Sequence, residues 1–164
     1  MNELLWSLQV TQDDVFEKLK NYFETRSAAR WALGLLKPGV EIGLVIGNQI
    51  DCAIFNKDSG PCVEKREAQN PSFVFHVKPE SIETLANSKS DDISEVGINI
   101  FTEIISGNIR VEIKSGLKEI LSGGYFEVLK SGGQKLSSFL TTQGAMSMMK
   151  LIAFIDKMKN SRSS

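Results

Sequence analysis

Histidine and cysteine are scarce in this chain. His76 stands alone, and Cys52 and Cys62 are the only two thiols among 164 residues. Two cysteines are too few for a cysteine-built zinc site, and one histidine with no further ligand spaced nearby does not make a metal centre. His76 is also the only histidine that could serve a serine hydrolase as base, and no Gly-x-Ser-x-Gly elbow accompanies it. Its position in Val74-His76, alternating with Phe73, Phe75 and Val77, reads as a surface or sheet-edge histidine. Excess charge of one sign is absent too. Lys plus Arg is 19 and Asp plus Glu is 20, for a net charge of -1, so nothing draws the whole chain to nucleic acid or an anionic membrane. No uncharged apolar run approaches the ~20 residues of a membrane span. The start, Met1-Asn2-Glu3-Leu4-Leu5-Trp6, lacks the basic and then apolar pattern of a secretory signal. A cytoplasmic protein with reduced thiols is therefore expected. Gly43-Leu44-Val45-Ile46-Gly47 lacks the third glycine of a dinucleotide fingerprint, and no Lys-Ser or Lys-Thr follows, so it reads as a strand and its turn. These absences predict no metal, no cofactor, no catalytic residue and no independent enzyme.

What is present is periodicity. Val15, Phe16, Leu19, Tyr22 and Phe23 recur at helical spacing in a helix from about Thr11 to Leu36, with Thr11 as its cap and Lys37-Pro38-Gly39 as its stop. Ser27-Ala28-Ala29 is read as a break or a smooth continuation. Ile42, Leu44 and Ile46 alternate, Gly47-Asn48 supplies a hairpin turn, and Ile50 to Phe55 returns. Cys62 to Lys65 adds a short edge strand, and Ser72 to Val77 is a strand rich in aromatic and β-branched residues. Lys78-Pro79-Glu80-Ser81 starts a short helix to about Asn87. Ser90-Asp91-Asp92 caps a longer one carrying Ile93, Val96, Ile100 and Ile104, and Gly107 ends it. Ile109, Val111 and Ile113 then share one face of a glycine-bracketed strand. From Gly116 the chain turns glycine- and serine-rich, with short helices or one late strand expected up to Gly144. A last helix spans about Ala145 to Lys159.

This order of parts resembles the sterol carrier protein type 2 domain family. The likeness is carried by the hairpin strands, by Phe75-His76-Val77-Lys78-Pro79-Glu80-Ser81 leading into Ile82-Glu83-Thr84-Leu85, and by Ile105-Ser106-Gly107-Asn108-Ile109-Arg110-Val111. It covers roughly residues 15 to 155. The resemblance implies an α+β fold, a mixed sheet of about five strands with helices covering one face, and a hydrophobic tunnel between the layers. It also implies non-catalytic binding or carrying of a fatty-acyl, sterol-like or isoprenoid lipid. The longer helix within 86–104 and the glycine-rich 116–144 depart from the family and bear on the shape of the cavity. Residues 1–160 are read as a single domain and 161–164 as a disordered tail.

Periodicity and resemblance together nominate Phe73, Phe75, Ile100, Phe101 and Ile104 as ligand-binding wall residues, with Met146, Met149 and Ile152 from the last helix as a lid. That helix also carries Met148, Leu151, Phe154, Ile155 and Met158, an apolar arc wider than one core face needs. Its extra width points to a second apolar contact: a lipid, a protein partner or a homodimer mate. The alternative function is therefore an interaction or accessory scaffold module for lipid or quinone biosynthesis. Burial yields roughly 0.8 kcal/mol per methylene, so a chain of about a dozen carbons would bind without a charged anchor.

Overall fold

The computed structural model describes residues 2–143 together with Lys150 and Ala153, and for residues 2–12 and Leu117 the backbone alone. The expected last helix with its methionines, and the tail 161–164, lie outside the described residues, apart from Lys150 and Ala153, which are helical.

Among the described residues up to 143, twelve elements follow in order: α1 (Asn2–Thr25), α2 (Ser27–Leu33), β1 (Glu41–Ile46), β2 (Ile50–Lys57), β3 (Gly60–Glu64), β4 (Phe73–Val77), α3 (Pro79–Asn87), α4 (Ile93–Ile105), β5 (Ile109–Ile113), α5 (Leu117–Ser122), α6 (Tyr125–Lys130) and α7 (Gly133–Thr142). The strands form one five-stranded sheet in the order β3-β2-β1-β4-β5. It is mixed: β1 and β4 run parallel, and the other pairs are antiparallel. The α+β class and the five-strand sheet stand as the resemblance implied.

Register gathers an apolar row from the strands on one face, while Val45, Ala53, Phe55 and Val74 fall on the other. Leu44 pairs with Cys52 and with Phe75, and Phe75 with Val111. Ile46, Ile50, Val77 and Ile109 form the next row. This face and the helices share one core, which includes Val15, Phe16 and Leu19 of α1, Leu33 of α2, Ile82 of α3 and Ile104 of α4. Ile82 is 2% exposed and Ile120 of α5 is 1% exposed, so each contributes the ~2 kcal/mol expected of a fully buried side chain.

Two expectations are corrected. The first helix begins at Asn2, so Thr11 lies inside it and caps nothing. Residues 2–12 hold neither glycine nor proline, and one threonine does not halt helix propagation through leucine, glutamate and glutamine. The helix also does not reach Leu36: Arg26 takes an extended backbone (φ -73, ψ 125), and α2 then ends at Leu33. The break is held from outside. The Arg26 guanidinium donates to the carbonyls of Ser88 and Ala86 and lies 4.6 Å over the Tyr22 ring, while Asp91 Oδ1 accepts from Ala28 N–H at 2.9 Å. Asp92 caps α4 as expected, accepting from Ser94 N–H at 2.8 Å.

The hairpin turn is also as expected: Gly47 and Asn48 both take positive φ, at 58° and 62°. Strand β3 is an edge, and α1 closes it, since Glu24 accepts from Val63 N–H at 2.9 Å and Lys20 donates to Val63 C=O at 3.3 Å. Because β4 lies beyond β1, residues 65–72 must cross the second sheet face. There a Cβ built on Gly43 would lie 3.5 Å from Ala68 Cβ, and Ala53 is 0% exposed.

The glycine-rich region resolves into three short helices, not a strand. Gly124 makes the entry to α6 possible. Its φ is +94°, and a Cβ there would sit 2.5 Å from the Leu35 carbonyl oxygen. Gly124→Ala is expected to cost about 2 kcal/mol from the left-handed backbone and the clash together, seen as a fall of roughly 6 °C in Tm by calorimetry. An unchanged Tm would show that this turn relaxes freely.

Candidate functional site: an apolar cavity between sheet and helices

The apolar sheet face and the helices do not close completely. A cavity of about 220 Å³ remains between them. Its floor is sheet: Ile42, Phe73, Phe75 and Val111. One wall is α4, through Ile93, Val96, Gly97, Ile100, Phe101 and Ile104. The opposing walls are Phe23 of α1, the alanines 28, 29 and 32 with Leu33 of α2, Leu36, and Tyr125, Val128 and Leu129 of α6. Ser131, Gly132 and Leu136 complete it.

The five sheet and α4 residues nominated from sequence, Phe73, Phe75, Ile100, Phe101 and Ile104, all line this cavity. Alternation in β4 puts both phenylalanines on the inner face, with ring centroids 6.3 Å apart. The Phe73 ring also meets Tyr125 edge-on at 4.8 Å, which seats α6 against the sheet. Met146, Met149 and Ile152 lie outside the described residues. Sequence reasoning did not find the α2 and α6 walls. Ala28-Ala29 reads only as a break or a smooth continuation of the first helix, and residues 131–133 only as part of the glycine- and serine-rich stretch.

The lining offers almost nothing polar. The Ser131 hydroxyl donates to the Val128 carbonyl. The Tyr125 hydroxyl is covered, with Ser72 beside it but no hydrogen bond of good geometry, and burial pushes the phenol pKa upward. Among the described residues no carboxylate, ammonium or guanidinium borders the space. An apolar cavity of about 150 Å³ accepts a benzene, so at the same packing this one holds about nine carbons, fewer than the dozen first considered.

The residues with reactive potential sit elsewhere. His76 occupies the sheet face opposite Phe75, and it is not at a sheet edge, because β4 is flanked by β1 and β5. Its Nε2–H donates to Glu112 Oε2 at 2.9 Å, and this bond, helped by Lys114, holds the Glu112 carboxyl below its ordinary pKa. Glu112→Gln is expected to cost about 1 kcal/mol in urea unfolding, the worth of a half-buried charge-assisted bond. No loss would mean that the pair is fully solvated. Cys52 lies on the inner face, where burial pushes its thiol up to about 12, so it is not a thiolate nucleophile. Among the described residues no three His, Cys, Asp or Glu side chains group to hold a metal, and no helix is long and apolar enough to cross a membrane.

No protein-family model matches the chain, and no curated protein matches it. Among solved structures the chain is similar to one described as "UbiJ-SCP2 Ubiquinone synthesis protein". The identity is 14% and the TM-score 0.42, over 66% of this chain and 86% of that one.

Proposed function

We propose that the chain binds and carries a hydrophobic ligand, without catalysis, by taking its hydrocarbon part into the cavity between sheet and helices. The observation that carries this reading is a hollow of about 220 Å³ whose described lining residues are almost all apolar and carry no charge. A charged headgroup finds no partner among the described lining residues and would remain in water, since burying an unpaired charge is prohibitive. About nine buried carbons at roughly 0.8 kcal/mol each give about 7 kcal/mol, which corresponds to a Kd on the order of 10 μM before any contact made by the headgroup. A fatty-acyl or isoprenoid chain meets these terms, whereas the rigid fused rings of a sterol exceed a hollow of this size.

Titration of the purified chain with a fluorescent fatty acid is expected to saturate at one per chain. Native mass spectrometry of the same sample is expected to show a monomer carrying a lipid-sized mass. A protein that neither retains nor takes up any hydrocarbon probe would end this reading.

A further inference from the structure

We propose that Leu136 of α7 determines the length of hydrocarbon that the cavity accepts. This rests on the binding function proposed above and adds a specificity-determining residue to it. Leu136 is 4% exposed and lies between the two glycines of the lining. A Cβ on Gly97 of α4 would stand 2.9 Å from Leu136 Cδ2, and one on Gly132 would stand 2.2 Å from the same atom. Neither position has room for a side chain while the leucine is there. The isobutyl group therefore occupies space that the absence of two side chains has made, and that space adjoins the cavity. On this side the lining is the flexible Leu136 side chain set against the bare backbone of Gly97 and Gly132.

Trimming this residue to alanine removes three carbons of wall, about 75 Å³ at the packing of a benzene-sized cavity, or roughly a third of the present hollow. The test is competition of unbranched fatty acids from eight to eighteen carbons against a fluorescent fatty acid, on the full chain and on Leu136→Ala. The length that competes best is expected to rise by two to three carbons in the variant. Leu140→Ala, an equally buried position on α7 outside the lining, is expected to lower Tm without moving the preferred length. Leu136→Val, which removes one carbon, is expected to move the preferred length by about one and keeps the test open if the alanine variant does not fold. Binding by both proteins with the same preferred length would overturn the role of Leu136 and leave the binding function standing. Binding of no chain length by the unaltered protein would overturn both.

Discussion

Arg66→Ala is expected to lower the free energy of unfolding by about 2 to 3 kcal/mol, one of the largest single effects outside the core. The Arg66 guanidinium holds both oxygens of Glu41, at 2.9 and 2.8 Å, and stacks 5.1 Å over the Phe55 ring. Glu41 Oε1 also accepts from Gln69 N–H at 2.8 Å. The Glu41 side chain is only 13% exposed, so removing the arginine strands a nearly buried carboxylate with one remaining partner. A fully buried broken pair costs about 3 to 5 kcal/mol, and the one-third exposure of Arg66 lowers that figure. The same contacts pin residues 65–72 across the sheet over Gly43 and Ala53, so the loss includes apolar cover.

The pH dependence has a definite sign. The Arg66 bond holds the Glu41 carboxyl below its ordinary pKa. A depressed folded pKa stabilises the fold fully above the ordinary carboxylate range, and that contribution disappears as pH falls through the folded value. Urea unfolding of the unaltered chain, Arg66→Ala, Glu41→Gln and the double variant at pH 7 and pH 4 checks both statements. A cost below about 0.5 kcal/mol at pH 7, or one that does not shrink on acidification, would show that the pair is solvated in practice.

The sheet was legible because its signal is local. Strand β5 was read at 109–113 and occupies Ile109–Ile113, since a half-buried strand writes its alternation into five residues. Phe73, Phe75, Ile100 and Ile104 were likewise marked by period. The cavity as a whole was not legible, because a hollow is a property of elements that meet without filling the space. Ala28, Ala29 and Gly97 look the same in sequence whether they face a void or a close-packed neighbour. The break at Arg26 depends on Ser88 and Asp91, some sixty residues away, which no local pattern near Ala28 reveals. Alternation puts His76 on the face opposite the phenylalanines, as the register has it, but its reading as a surface or sheet-edge residue leaves the strand's place in the sheet open, because the crossover that brings β4 beside β1 has no periodic signature.

Ala29→Phe is expected to abolish uptake of the fluorescent fatty acid while leaving the fold intact. Ala29 is 4% exposed and lies on the cavity wall, on the α2 turn facing α4. The phenyl ring added at this Cβ brings about six carbons, roughly two thirds of what the cavity holds by the same benzene scale. At roughly 0.8 kcal/mol per displaced carbon the ligand loses most of its binding energy, and the loss of affinity is expected to exceed a hundredfold. Overpacking a filled core costs about 1 to 3 kcal/mol, but here the ring enters space already empty. The Tm is therefore expected to stay within a few degrees of the unaltered chain, or to rise. Ala28→Phe, on the adjoining lining position, is expected to act the same way. Leu121→Ala, at an exposed leucine away from the cavity, is expected to change neither uptake nor Tm. A cooperative, native-like melt with uptake undiminished in both phenylalanine variants would place the ligand somewhere other than this hollow.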